Sequence, residues 1–236
     1  MGIKAVFFDL DGTLLPMDQD VFISAYFSSM ARFMTSYGYE PEKFARSVWL
    51  GSDAMLKNDG RATNEDVFWE TFSEAYGKEV RKDEEYFNAY YTECFDNVRK
   101  VCGYNPKARE CHERILSLGL RTALATNPVF PRIATEMRAA WAGIDINDFE
   151  AVTSYENSFY TKPNINYYKN LLAKMKLLTH EVLMVGNDVS DDMVAKELGM
   201  KVFLLTDNLI NKDNADISEY PNGNFDNLMQ YVENII

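Results

Sequence analysis

The chain has 236 residues, a formal net charge of −12 and 47% hydrophobic residues, with a pI near 4.7. That length and apolar content suit one large domain, or a domain with an insertion, and exclude global disorder. The acidic balance argues against a general binder of nucleic acid or anionic membrane. It also means that an anionic ligand needs a local cation to approach.

No apolar run approaches the roughly 20 residues needed to span a bilayer. Only Lys4 precedes an apolar stretch that runs into Asp9, which makes a poor signal peptide, and Val6 stands where a myristoylation motif needs Ser or Thr. The expectation is a soluble cytoplasmic protein with no nucleic-acid or membrane partner. Cys94, Cys102 and Cys111 are odd in number and widely spaced, as reduced thiols are. Cys111-His112 has no Cys-x-x-Cys or His-x-x-x-His partner to complete a zinc site, so buried thiols and a surface histidine are expected. His180 reads as a loop residue, and a histidine-based hydrolytic triad has no candidates.

The first element is a strand over residues 3–8, nearly continuously apolar as a parallel strand covered on both faces should be. It ends in Asp9-Leu10-Asp11-Gly12-Thr13. Asp9 and Asp11 are two apart and point to the same side of extended backbone, and Gly12 permits a sharp turn after them. Two carboxylates held that close repel, so either one takes a proton or a cation sits between them. Both outcomes suit phosphoryl transfer, with one acid as nucleophile, its neighbour as proton donor and a metal to neutralise charge. The plainer alternative is a polar turn.

Helical spacing follows over 18–37, closed by Gly38, and over 41–50, opened by Pro41. Further helices fit 64–76, with Thr63 or Asn64 as N-cap and Gly77 after the end, and 83–100. Residues 16–99 thus read as a helical insertion placed directly after the first strand. Its most polar stretch is 51–64, where Lys57, Asn58 and Arg61 either reach a substrate or belong to a solvated inter-helix loop.

From residue 100 the pattern alternates: helix 106–118, strand 120–126, helix 131–141, strand 149–153, helix 165–175, strand 181–186, helix 191–198 and strand 201–205. Such alternation predicts a parallel sheet with helices on both faces, shared by the first strand. The expected fold is a three-layer α/β/α, Rossmann-like core of residues 1–15 and 100–236, carrying the helical domain 16–99. The Asn- and Asp-rich stretch 207–225 reads as a surface loop.

Each strand end carries chemistry. Thr126-Asn127-Pro128 offers a hydroxyl and N–H groups to phosphate oxygens, or simply caps a helix. Lys162-Pro163 fixes a lysine that could offset charge, or an exposed lysine. Gly186-Asn187-Asp188-Val189-Ser190-Asp191-Asp192 resembles a Mg²⁺ site, or an acidic helix N-terminus.

In their order and spacing these four groups resemble the motifs of the haloacid dehalogenase-like (HAD) superfamily: Asp9-x-Asp11-Gly-Thr13, Thr126, Lys162-Pro163 and Asp188 with Asp192. The 16–99 insertion looks like that family's helical cap. The resemblance implies a Mg²⁺-dependent phosphatase acting on a small phosphorylated metabolite. By that likeness Asp9 is the nucleophile and Asp11 the acid and base; dehalogenases of the superfamily lack this second acid. Asp9, the Asp11 carbonyl, Asp188 and Asp192 hold or adjoin the metal. Asp192 is preferred to Asp191 as the last acid because of the family's spacing. Thr126 and Asn127 bind phosphoryl oxygens and Lys162 balances the nucleophile's charge. A sugar phosphomutase with the same residues and a non-catalytic ligand-binding protein on this fold are the alternatives.

Overall fold

A computed structural model describes residues 2–77 and 79–236. Its centre is a six-stranded sheet, all parallel, in the order β3-β2-β1-β4-β5-β6. The strands are β1 (Ala5–Phe8), β2 (Arg121–Leu124), β3 (Ala151–Val152), β4 (Val182–Gly186), β5 (Lys201–Leu205) and β6 (Asn222–Gly223). β1 lies in the middle, wholly buried, with Phe8 opposite both Leu124 and Val185. The chain fills one side of β1 with β2 and β3 and the other with β4 and β5. The switch point therefore falls between β1 and β4, where open α/β sheets bind their ligands.

Alternation along β1 sends Val6 and Phe8 to one face, and Ala5 and Phe7 to the other. The first face packs on α5 (Pro106–Ser117), α6 (Arg132–Trp141) and α8 (Phe225–Ile235), through Ile115, Ala134 and Leu228 among others. The second is covered by α7 (Ile165–Met175) and a 3₁₀ stretch, Met193–Leu198.

Between β1 and α5 come α1 (Gln19–Thr35), α2 (Pro41–Leu56), α3 (Asn64–Tyr76), α4 (Glu84–Glu93) and a 3₁₀ stretch, Phe95–Val101. Local chemistry sets their ends. The Asp18 side chain accepts the Val21 N–H at 3.0 Å, and the Thr63 hydroxyl accepts the Asp66 N–H at 3.1 Å. Gly77 closes α3 in the left-handed conformation, φ 82°. The core of these helices is aromatic, with Phe72, Phe87, Tyr90 and Phe95 buried. Chain entry and exit lie side by side: Met17 pairs antiparallel with Cys102, and the Gly103 N–H donates to the Pro16 carbonyl at 2.7 Å.

Several expectations need correction. The second helix does not stop at residue 50: α2 runs on to Leu56. Gly51 lies inside it because α3 comes so close that an added Cβ would be 2.7 Å from the Phe68 ring. The 83–100 helix breaks at Cys94, leaving α4 and a 3₁₀ stretch. The 191–198 helix is a 3₁₀ segment starting at Met193, because the Asp191-Asp192 backbone belongs to the site loop. The stretch 207–225 includes β6 at Asn222–Gly223. His112 is no surface residue: it is 1% exposed, 4.5 Å from Phe149 ring to ring, with the Thr122 hydroxyl beside Nε2 at 3.4 Å. No helix among the described residues is long and apolar enough to cross a membrane.

Candidate active site

The register of β1, β2 and β4 brings Asp9, Thr126 and Gly186 out at one edge of the sheet. Asp9 continues β1 by donating its N–H to the Val185 carbonyl at 2.9 Å. Its carboxylate accepts from Lys162 Nζ on Oδ1 at 2.8 Å, and lies 3.1 Å from the Thr13 hydroxyl on Oδ2. That hydroxyl also lies 2.9 Å from Asn187 Oδ1. Lys162 is 3% exposed, so the expected surface alternative for this residue falls away. Burial pulls its ammonium down, but the Asp192 and Asp9 carboxylates outweigh that and hold it well above the ordinary lysine range.

Gly12 turns the chain after the acids at φ +85°, and a Cβ there would lie 2.3 Å from Asn187 Nδ2. The turn leaves Asp11 facing Arg138, which pairs through Nη1 with Asp11 Oδ2. The Arg138 side chain is fully buried, lies with its guanidinium carbon 4.2 Å from the Phe130 ring centre, and donates from Nε to the Ala134 carbonyl at 3.2 Å. Asp11 Oδ1 is buried and has no hydrogen-bond partner among the described residues. Burial raises Asp11 above the ordinary carboxylate range, Arg138 opposes, and the Asp9 charge adds to the rise. The carboxyl is thus oriented by one oxygen, with the other left over. Arg138 was absent from the sequence candidates. It stands one turn beyond Ala134 and Thr135 on the buried face of α6, a placement that only the packing of the helix reveals.

The β4 loop separates its three acids. Asp192 is 1% exposed, with Oδ1 on Lys162 Nζ at 2.6 Å and Oδ2 accepting the Asp188 N–H at 3.0 Å. Burial lifts this carboxyl above its ordinary range, Lys162 working against it. Asp188 Oδ1 accepts the N–H groups of Ser190 and Asp191 at 2.8 and 3.0 Å, an arrangement that folds the loop. Asp191 instead faces Asn127, whose Nδ2 donates to its Oδ2 at 3.2 Å. Asn127 Oδ1 accepts the Lys162 N–H at 3.3 Å, so one side chain ties three strand-end loops together. The Thr126 carbonyl is anchored by the hydroxyls of Thr153 and Tyr167 at 2.7 and 3.0 Å, and Thr126 itself is buried at the site.

Among the described residues no three His, Cys, Asp or Glu side chains form a metal cage. Of the four expected metal residues, Asp192 has both oxygens engaged by Lys162 and the Asp188 N–H, Asp9 accepts from Lys162 and adjoins the Thr13 hydroxyl, and Asp11, its Oδ2 facing Arg138, is expected to offer its backbone carbonyl and not its side chain. Asp9 and Asp188 with the Asp11 carbonyl make an all-oxygen donor set that fits Mg²⁺, which takes one or two carboxylates and completes its shell with water and phosphate oxygens.

A cavity of about 570 Å³ opens above these residues. Asp9, Asp11, Thr126, Asn127, Lys162 and Asp188 line its floor, while α1, α2, α3 and α4 supply its roof. Lys57, Asn58 and Arg61, expected at the substrate, are not among its lining residues. Lys57 pairs with Asp53 at 2.6 Å and Arg61 with Glu70 at 2.5 Å, both exposed. Asn58 is buried and donates to Ala62 and Asn64 at 2.9 and 2.8 Å. The roof is built from residues that helical spacing alone assigns to a core.

Comparison with known proteins agrees with this architecture. The family described as haloacid dehalogenase-like hydrolase matches residues 6–205. A curated phosphoglycolate phosphatase of Vibrio parahaemolyticus is 28% identical over 211 residues, covering 86% of this chain and 84% of that one. Two of the solved structures that share the fold illustrate it. A HAD phosphatase from Thermococcus onnurineus has a TM-score of 0.57 at 18% identity, covering 98% of each chain. A 2-haloacid dehalogenase from Pseudomonas syringae has a TM-score of 0.64 at 16% identity, covering 98% of this chain and 99% of that one.

Proposed function

The chain belongs to the haloacid dehalogenase-like hydrolase family and is a hydrolase; from that premise we propose a Mg²⁺-dependent phosphatase that cleaves a small-molecule phosphomonoester through an aspartyl-phosphate. The observation that carries this is the pairing of Asp9 with the buried Lys162 at 2.8 Å beside Asp11, whose second oxygen is unpartnered among the described residues. Similarity to phosphoglycolate phosphatases supports phosphate ester cleavage.

In the first step Asp9 attacks phosphorus in line. The new bond joins an Asp9 carboxylate oxygen to phosphorus as the bond to the leaving oxygen breaks. Asp11 gives its proton to that oxygen. A raised Asp11 suits this task, because the carboxyl keeps its proton to a higher pH. Asp11 then takes a proton from water, which attacks the same phosphorus and frees phosphate and Asp9. Thr126 and the Asn127 N–H hold phosphoryl oxygens, and Lys162 offsets the charge on Asp9.

Five carboxylates line the floor — Asp9, Asp11, Asp188, Asp191 and Asp192 — and the cations facing or adjoining it are Lys162, Lys212 and Arg138. A dianionic ester cannot settle there without a further positive charge. Mg²⁺ held by Asp9, Asp188 and the Asp11 carbonyl, with Asp192 behind them on Lys162, would supply that charge and polarise the phosphoryl group. Residues 16–99 would act as the cap that closes over the ester and excludes water.

The test is phosphate release from a panel of phosphomonoesters with Mg²⁺ and with EDTA, for wild type and Asp9→Asn. Release that needs Mg²⁺ and vanishes in the variant is the expected result. Full activity in Asp9→Asn would remove the nucleophile assignment.

A further inference from the structure

The roof of the cavity carries information about the alcohol part of the ester. Its walls are formed by Phe22, Tyr26, Phe68, Tyr91 and Phe130, with Trp49 at the mouth. Tyr26 and Tyr91 satisfy each other, hydroxyl to hydroxyl at 2.7 Å, so this pair presents ring surface rather than an unpartnered polar group. Three large apolar side chains of the lining are exposed: Ile23 at 37%, Trp49 at 59% and Leu56 at 53%. Apolar surface left open at the mouth of a cavity is covered when a ligand arrives. The volume, about 570 Å³, lies in the range that encloses ring-bearing ligands. A two-carbon ester would leave most of the roof without a partner.

Charge points the same way. The residues that α1 to α4 contribute to the lining include Asp20 and Glu84 and no lysine or arginine. A carboxylate on the leaving group would meet two like charges there and find no cation among the described roof residues. On the sheet side Lys162 is engaged by Asp9 and Asp192, Arg138 lies beside the Phe130 ring but is fully buried and paired with Asp11, and Lys212 lies exposed in the loop after β5.

We propose that the substrate is a monophosphate ester of an alcohol carrying an uncharged, planar aromatic ring, with its phosphate on the sheet side and its ring among Phe22, Tyr26, Trp49 and Phe130. This rests on the phosphatase reading for turnover, but not for binding. Stacked and edge-on contacts hold the ring and exclude water from the phosphoryl group. The acids of the roof discriminate against esters whose alcohol part carries a negative charge of its own.

Two measurements test it on the full chain with Mg²⁺. The first compares kcat/KM for benzyl phosphate and 2-phosphoglycolate, both esters of primary alcohols. The second compares, by calorimetry, the Kd of benzylphosphonate and phosphonoacetate, which need no turnover. The aromatic member of each pair is expected to lead by about 30-fold, the scale of burying one ring. Trp49→Ala, at an exposed position that leaves the core intact, is expected to cut that lead about five-fold, mainly through KM and Kd. Equal or better use of 2-phosphoglycolate, or equal or better binding of phosphonoacetate, overturns the proposal. So does failure to bind either phosphonate. Tight benzylphosphonate binding without phosphate release from any ester upholds the ligand class and removes the phosphatase reading instead.

Discussion

Arg138 and Asp11 form a pair in which each partner depends on the other. A fully buried guanidinium opposite a carboxylate is not a strong source of stability, but removing one member strands the other in a low dielectric. Arg138→Met should therefore destabilise the fold by about 3–5 kcal/mol, read from the urea midpoint at constant m-value. Arg138→Gln separates charge from packing. Without the cation the neutral form of Asp11 is favoured, so its pKa rises further. If Asp11 is the proton donor, the alkaline limb of kcat/KM against pH moves to higher pH in Arg138→Gln. An unmoved limb would detach Asp11 from that limb. At this scale the sequence was legible where chemistry sits at the ends of apolar runs, as at Asp9, Lys162 and Asp188. It was not legible for Arg138, because an arginine inside a helix ordinarily reaches water. Lys57, Asn58 and Arg61 misled for the converse reason: polarity in a loop says nothing of which side faces the cavity, and their neighbours Asp53, Asn64 and Glu70 engage them locally.

Among the elements, β4 and α5 each make a checkable statement. Gly186 ends β4 so close to Asp192 that an added Cβ would sit 2.0 Å from its Oδ2. Gly186→Ala must push Asp192 from the Asp188 N–H and from Lys162. Overpacking of this kind costs about 1–3 kcal/mol, and phosphate release should fall far more than the unfolding midpoint does. On α5, burial lowers the pKa of His112 below its ordinary 6.5. The unfolded chain then takes up the proton that the folded chain resists. Stability present above pH 6.5 is lost as pH falls from there towards the folded value. The fall in urea midpoint between pH 7.5 and 5.5 should be smaller in His112→Gln than in wild type, a difference that isolates this group from the carboxylates. Long amphipathic segments with caps, such as α3 and α7, were read to the residue. The boundaries that slipped have tertiary causes: α2 continues through a glycine that α3 needs, and Met193–Leu198 tightens because the preceding loop is fixed by Asp188 and Lys162. The two-residue β6 has no hydrophobic period to announce it, and its pairing with β5 is what defines it.

The molecule as a whole carries −12 charges. A phosphate dianion approaches against that field, so added salt screens a repulsion rather than an attraction. If the substrate is a phosphomonoester, kcat/KM should rise about two-fold between 20 and 150 mM KCl at saturating Mg²⁺. A fall would show that local cations dominate the encounter. The run of helices between β1 and α5 was legible at this scale because its period differs so sharply from the alternation that follows. How it meets the sheet was not, since that contact depends on pairs distant in sequence. Phe95 lies 4.9 Å from Trp141, and Asn64 reaches the Pro128 and Ser158 carbonyls. The adjoining segments at Pro16–Met17 and Cys102–Gly103 have a consequence of their own. Because the chain leaves and re-enters at nearly one point, a single tight turn from residue 16 to residue 103 could splice the helices out without stretching the sheet. The same junction would accept a different helical block of any length. What such a graft must reproduce is the ring surface that Phe130 and Trp141 offer it. The floor and the roof are thus separable blocks, joined where the chain crosses at Pro16 and Gly103, at the hydrogen bonds of Asn64, and along a shared aromatic seam.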